Sequence, residues 1–507
     1  MEFVDDLLQN EMKLESVFDL IAFCYDYLIE NVDDQAVFIG KYILENDGAS
    51  IGNPNLKALR RFDNEVFRVL QRQEEGFLFG KCLKSIICLS DKMQKHLMKY
   101  EDDFYNQLTI SFFILWAIDR YVLGKKGKRT DIAPLNKSYL KNSFIYLNIQ
   151  DDLLDQAMEE NEFSDIISDV QIRNCFQHLC IIERKELATE KAEPPKTICL
   201  CMKDDGGYRK AMLLKKRLKI AVIPLDKEPM LEFPIDDGAL FHVEYREGYQ
   251  RRCEERAIRL LELAIDKKAN IIIFPEFVCS QEVQSAIRRH LKQMYEENSS
   301  RLKNLLVVLA GSGWIDGNNV ATILSYDGRM LGKQFKTERF SDLKKEGKEL
   351  IENLQNPGKE TTIVEIEGLG KIAVGICRDI CNRKYLKRLT EIFCPQLLLV
   401  PAWSSSIRIG FENQLKEITA YNHRTCSVLC DCCEAINGRS FKQDLGILVT
   451  PVKRGSVVEG KNCYIKRQAK KCRNCRKGGC VIIINMCFET DNVKQGRIVT
   501  KMTQINC

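Results

Sequence analysis

The sequence predicts an α/β layered protein preceded by a mainly α-helical N-terminal part, and three observations carry that prediction. From residue 218 onward, short apolar runs alternate with amphipathic stretches of helical period. Before residue 183, apolar residues recur at three- and four-residue spacing, and proline is almost confined to the polar breaks around Pro54 and Pro134. Between the two lies RKELATEKAEPPK (184–196), charged, without apolar period and interrupted by Pro194 and Pro195, which reads as the start of a linker over 184–217.

The chain has 507 residues, enough for two or more domains, and its 45% hydrophobic and 29% charged residues are those of a soluble globular protein. A net charge of +5 is small for this length, so nothing global requires nucleic acid or an anionic membrane. The first residues, MEFVDDLLQNEMKLESVF, are acidic and lack the basic flank and small-residue cleavage site of an export signal. The 22 cysteines are therefore expected to be thiols, metal ligands or nucleophiles in a cytoplasmic protein. The most apolar run, LTISFFILWAI (108–118), is too short to span a bilayer and reads as a buried helix.

In the helical part, 16–32, 64–95 and 103–123 have helical period, and NDGASIGNPN (46–55) and GKKGK (124–128) are loops. Asp151, Asp152 and Asp155 form a DDxxD pattern; with no second acidic motif to answer it, the cluster reads as a charged helical turn. In the α/β part, strands are expected at 218–225, 270–277 and 305–311. A two-strand hairpin follows over 320–336 around the Asp327–Gly328 turn, then a long charged loop over 337–359. Further strands are expected at 362–367, 371–376, 396–403, 426–432, 445–451 and 481–486. Helices are expected at 245–268, 281–297, 384–393 and 411–423, and a C-terminal tail at 491–507.

Three reactive side chains stand at predicted strand ends: Glu276 in ANIIIFPEF, Lys336 in RMLGKQFK and Cys377 in KIAVGICRD. A thiol needs a base or a positive field to become a nucleophile near neutral pH. A carboxylate in an apolar pocket can serve as that base, and an ammonium can stabilise the oxyanion that forms. The three residue types suffice for acyl transfer through a thioester. A Cys–His arrangement is a weaker alternative, because the chain has only 5 histidines and His242, His290 and His423 carry no partner signal.

In their order and separations, IIIFPEF, GKQFKTE and GICRD resemble the motifs of the nitrilase or carbon–nitrogen hydrolase superfamily. Asn319, DGRMLGK before the lysine, Val400-Pro401-Ala402-Trp403 and Ala420-Tyr421-Asn422 add to the likeness, which covers about 218–486 of a domain expected over 218–490 and none of the helical part. The resemblance implies a four-layer α-β-β-α sandwich with Glu276 as base, Lys336 as oxyanion stabiliser, Cys377 as nucleophile and the Arg378 N–H completing the oxyanion hole. It also implies an amide substrate, no cofactor for catalysis, and a homodimer or higher homo-oligomer formed through the helices near 384–393 and 411–423. Arg378–Asp379 stands where nitrile-hydrolysing members have Trp-Glu, which favours an amidase or carbamoyl-type hydrolase. Arg378 and Trp403 are candidate substrate contacts, Arg378 through a substrate carboxylate or else as a surface charge. A further family glutamate has three candidates, Glu346, Glu349 and Glu352.

One feature lies outside the resemblance. The basic run KNCYIKRQAKKCRNCRKGGC (461–480) reads as an insertion in which Cys463, Cys472, Cys475 and Cys480 are compatible with a structural zinc, or are incidental thiols of a polar loop. Such a loop could contact nucleic acid or an acidic partner. A rival reading of the whole chain makes it a regulatory or binding module, with the α/β part as sensor or scaffold and the helical part and basic loop binding a partner.

Overall fold

The structure is a computed structural model. It describes residues 3–11, 14, 17–32, 54–72, 79–98, 103–124, 143–147, 179–183, 196–200, 217–225, 231–235, 239–246, 248–343, 349–359, 361–366, 369–382, 385–386, 389, 395–404, 411–415, 425–432, 444–451, 464–470, 480–489 and 497–506. The chain divides into two compact units, Met1–Gln150 with Glu162–Glu190, and Asp151–Asn161 with Lys191–Cys507.

The first unit holds α1 (Phe3–Gln9), α2 (Val17–Asn31), α3 (Pro54–Arg72), α4 (Phe79–Leu97) and α5 (Asp103–Gly124). Their apolar faces close on one core that includes Leu20, Leu28, Phe62, Leu83, Phe112 and Leu115. The apolar run of 108–118 is in α5, where Phe112, Ile114, Leu115 and Ile118 have no exposed surface. No helix among the described residues is long and apolar enough to cross a membrane. Beside these helices the first unit also holds a strand pair that the sequence did not announce: β1 (Ser143–Leu147) pairs antiparallel with β2 (Leu179–Glu183). Asp151, Asp152 and Asp155 lie outside the described residues.

The second unit is built on two seven-stranded sheets. In chain order it contains β3 (Lys196–Leu200), β4 (Arg217–Val222), β5 (Leu231–Glu232), β6 (Leu240–Phe241), β7 (Glu244–Tyr245), α6 (Tyr249–Asp266), β8 (Ile271–Ile273) and α7 (Gln281–Asn298). Then come β9 (Val307–Ile315), β10 (Asn318–Ser325), β11 (Met330–Phe335), β12 (Ser341–Leu343), β13 (Glu349–Glu352), β14 (Thr362–Ile366) and β15 (Gly370–Val374). The remaining strands are β16 (Leu397–Ala402), β17 (Cys426–Asp431), β18 (Asp444–Pro451), β19 (Tyr464–Lys470), β20 (Cys480–Glu489) and β21 (Arg497–Asn506). The first sheet has the order β11-β10-β9-β8-β4-β20-β21 and the second β19-β18-β17-β16-β15-β14-β3.

Alternation along the strands explains how the layers stack. Ala221, Ile272, Val308, Val481 and Ile483 on one face of the first sheet join Leu260, Leu261 and Ala264 of α6 and Val283, Ile287 and Leu291 of α7 in a single core. On the other face the sheets meet so closely that a Cβ added to Gly446 of β18 would stand 3.2 Å from Val222 Cγ1 of β4. This gives three layers, helix, sheet and sheet. The helices expected at 384–393 and 411–423, which would form a fourth, fall mostly outside the described residues.

Four stretches differ from expectation for one reason: a strand is specified by its partner as much as by its own pattern. The expected linker supplies β3, which pairs in parallel with β14 at the sheet edge. The expected tail supplies β21, paired with β20 from Arg497 to Asn506. The expected insertion supplies β19, which continues the second sheet beyond β18. The expected loop over 337–359 holds β12 and β13, and β13 pairs in parallel with β6. All four are polar or short, so their periodicity is weak, and backbone pairing supplies what side chains do not.

Gly311, on β9, shows how tightly the segment leaving β8 is held. Its φ is +69° and an added Cβ would lie 2.4 Å from Pro275 O, with Ser312 N–H donating to that same carbonyl at 3.1 Å. Gly311→Ala is expected to destabilise the second unit by about 1–3 kcal/mol in chemical denaturation.

Candidate active site

Glu276, Lys336 and Cys377 are each one to three residues beyond the end of a strand, and the structure brings the three together. Glu276 follows β8, in a segment fixed by its own N–H donating to Ala402 O (3.3 Å) and by Tyr245 Oη donating to Phe277 O (2.9 Å). Lys336 follows β11, with its N–H on Asn319 O at 2.9 Å and its carbonyl accepting from Gly358 N–H at 2.9 Å. Cys377 opens a short 3₁₀ turn, Cys377–Cys381, after β15. Gly375, two residues before it, packs closely: a Cβ there would stand 3.0 Å from Ile380 Cγ2, so a larger residue would need that side chain to shift. Both Phe277 and Cys377 have positive φ, 62° and 47°, a costly conformation for residues with a Cβ and one that gathers at functional sites.

The centre is a buried charge cluster. Lys336 Nζ lies 2.9 Å from Glu276 Oε1 and 2.7 Å from Glu352 Oε2, and the three side chains are 1%, 0% and 0% exposed. Asn319 Nδ2 donates to Glu276 Oε1 (2.8 Å) and to Glu352 Oε1 (3.3 Å). Trp403 N–H donates to Glu276 Oε2 at 2.9 Å, and Phe340 N–H to Glu352 Oε2 at 2.9 Å. The Cys377 thiol is hydrogen-bonded to the Glu276 carboxylate. Of the three candidate glutamates, Glu352 reaches the cluster, Glu349 is exposed, and Glu346 lies outside the described residues. The signal of Glu352 in sequence was only a charged loop, because β13 owes its place to pairing with β6 and β12.

Protonation follows from burial and neighbours. Burial pushes the Glu276 carboxyl up, Lys336 opposes that, and the Glu352 charge adds to it. Burial works against the Lys336 ammonium, but the two carboxylates outweigh it and hold its pKa well above the ordinary value. Burial and the Glu276 charge raise the Cys377 thiol, while Lys336 lowers it. At rest the cluster therefore holds an ammonium at Lys336, a Glu276 carboxyl of raised proton affinity and a neutral thiol at Cys377. A base already in contact with the thiol can take its proton once a bound group stabilises the anion that follows.

Aromatic rings surround this cluster. Phe233 lies 5.1 Å from Trp403 and 6.2 Å from Phe277 between centroids, and Phe277 lies 5.8 Å from Trp403. Lys336 Nζ stands 5.4 Å from the Phe277 ring. Arg378 is exposed and its guanidinium stands 6.0 Å from the ring of Phe340. Trp403 is half-buried, with its indole Nε1 buried and without a hydrogen-bond partner among the described residues. Both residues singled out as substrate contacts thus border the cluster.

Cys463, Cys472 and Cys475 lie outside the described residues, and Cys480 is buried at the head of β20. Among the described residues no group of three His, Cys, Asp or Glu side chains is placed to hold a metal.

No protein-family profile matches the chain, and no curated protein matches it. Solved structures similar to it include Nit3 of Saccharomyces cerevisiae, a member of branch 10 of the nitrilase superfamily, at 16% identity over 51% of this chain and 91% of that chain, with a TM-score of 0.32. The NitN amidase from Neterenkonia sp. AN1 is 14% identical over 46% of this chain and 85% of that one, with a TM-score of 0.31. A mutant amidase from Nesterenkonia sp. AN1, which shows Michael addition of acrylamide at its active-site cysteine, is 14% identical over 43% and 79%, with a TM-score of 0.30.

Replacing Lys336 by Met leaves Glu276 and Glu352 buried against each other without a cation. The variant is expected to lose about 3–5 kcal/mol at pH 8. Because the raised Glu276 carboxyl takes up a proton first, the deficit should shrink as the pH falls toward 5, read as melting temperatures at the two pH values.

Proposed function

We propose that this protein is a carbon–nitrogen hydrolase of the nitrilase superfamily that cleaves a non-peptide amide or carbamoyl bond through a cysteine thioester. The observation that carries the reading is the Glu276 carboxylate, shared in a water-poor site by the Lys336 ammonium and the Cys377 thiol.

The chemistry follows from these contacts. Cys377 Sγ attacks the amide carbon while Glu276 takes the thiol proton. The carbonyl oxygen becomes an oxyanion held by Lys336 Nζ and the Arg378 backbone N–H. Glu276 then gives its proton to the leaving nitrogen as the C–N bond breaks, releasing ammonia or an amine and leaving the acyl group on sulfur. Water enters and Glu276 takes its proton. The hydroxide oxygen adds to the thioester carbon, the C–S bond breaks, and the proton returns to sulfur as the acid leaves. No step needs a cofactor.

The network around the base assigns two supporting roles. Glu352 keeps Lys336 charged, and Asn319 fixes both carboxylates at once. The aromatic surround favours an acyl group with apolar surface over a bare formyl or carbamoyl group. Arg378–Asp379 in place of Trp-Glu favours amides over nitriles.

Two variants test the reading. Wild type should release ammonia from small aliphatic amides such as butyramide and show a transient acyl adduct on Cys377 by intact mass spectrometry. Cys377→Ala should lose both while melting no lower than wild type. Glu276→Gln should lower turnover by about 10²–10⁴-fold. Undiminished turnover in Cys377→Ala would overturn the assignment of the nucleophile.

A further inference from the structure

The Asp379 carboxylate belongs to none of the steps above, yet it has no exposed surface and lies two residues past the thiol. Its Oδ1 accepts from Thr337 N–H at 2.9 Å and Glu338 N–H at 2.8 Å, and its Oδ2 accepts from Ile376 N–H at 2.9 Å. Thr337 follows Lys336 directly, and Ile376 directly precedes Cys377. One side chain therefore joins, through backbone amides alone, the residue after the ammonium to the residue before the thiol. These segments belong to different sheets, β11 to the first and β15 to the second.

We propose that Asp379 is a positioning residue: a carboxylate clamp that sets the distance between Cys377 and Lys336 and holds Cys377 in its left-handed conformation. The assignment rests on the hydrolase reading above for its kinetic consequence, but the clamp itself is defined by the two backbone segments.

Two observations separate positioning from a role in stability. Burial outweighs the three N–H bonds and pushes the Asp379 carboxyl up to about 7. A folded-state pKa above the ordinary 3.8 means that any stability this group adds is present at low pH and is lost as the pH rises through about 7. The ionised clamp is thus kept at a cost to the fold. The charged group facing it is Lys336, from the segment after β11, and Cys381 of its own turn feels its charge, while the Glu338 carboxylate is held by Asn382. The second observation is chemical: a backbone clamp leaves the side chains of Lys336 and Cys377 free to meet substrate.

The test uses the full chain with Asp379→Asn and Asp379→Ala. Asn keeps an acceptor for Thr337 and Glu338 but sets an NH₂ against Ile376 N–H, whereas Ala frees both sides. Hydrogen exchange read by mass spectrometry should show loss of protection only around 376 in Asp379→Asn, and around both 337–338 and 376 in Asp379→Ala. With butyramide, kcat should fall about a hundredfold in Asp379→Ala while KM stays within about twofold, and Asp379→Asn should fall between it and wild type. At pH 8 the Asn variant should melt close to wild type. Unchanged exchange on the Lys336 side in Asp379→Ala, or a kcat loss that only tracks the unfolded fraction, would overturn the clamp. If wild type hydrolyses no amide, the hydrolase reading fails, and the exchange pattern still decides whether Asp379 joins the two segments.

Discussion

Lys336 is one cation enclosed by two carboxylates, and the second unit is arranged so that this enclosure can exist. An ammonium with 1% exposure would be costly alone, as would either glutamate. Together, with Asn319 donating to both carboxylates and the amides of Trp403 and Phe340 capping their outer oxygens, nearly every charge has a partner. The contributing segments follow β8, β11 and β16 or lie in β10 and β13, so five strands must be in register before the network closes. A cluster with this requirement is a poor source of stability and a strong source of specificity.

The surrounding backbone meets the same demand by strain and close approach. Phe277 and Cys377 sit at positive φ beside the two groups that touch each other. Gly311 allows packing that a Cβ would prevent, and Gly375 packs closely against Ile380. Buried carboxylates anchor the neighbouring loops: Asp379 ties the ends of β11 and β15, and Asp431 Oδ1 accepts from Ser404 N–H at 2.9 Å, next to the Trp403 that caps Glu276. The electrostatic result is a carboxyl with raised proton affinity against a neutral thiol.

Much of this was legible before the fold. Apolar runs such as IIIF and KIAVGI announce buried strands, and a reactive residue at the end of such a run is delivered to a sheet edge whatever the topology. Glu276, Lys336 and Cys377 could therefore be singled out one at a time. Glu352 could not be told from Glu346 or Glu349, since all three sit in a charged stretch whose short strands have too few residues for a period. The strands of 196–200, 464–470 and 497–506 were hidden in the same way, being polar segments that become strands only against a neighbour's open edge.

The sequence by itself determined the helical-to-α/β change along the chain, the strands of the two sheet interiors and the identity of three side chains at their ends, because burial writes a local pattern. Only the tertiary structure decided that these three meet, that Glu352 completes the cluster while Glu349 stays exposed, and that Asp379 faces two backbone segments at once. Those outcomes depend on which strand lies beside which, a long-range pairing for which a single chain carries no periodic signal. The KIAVGICRD strand supplies a thiol, and its partners supply the field in which that thiol stands.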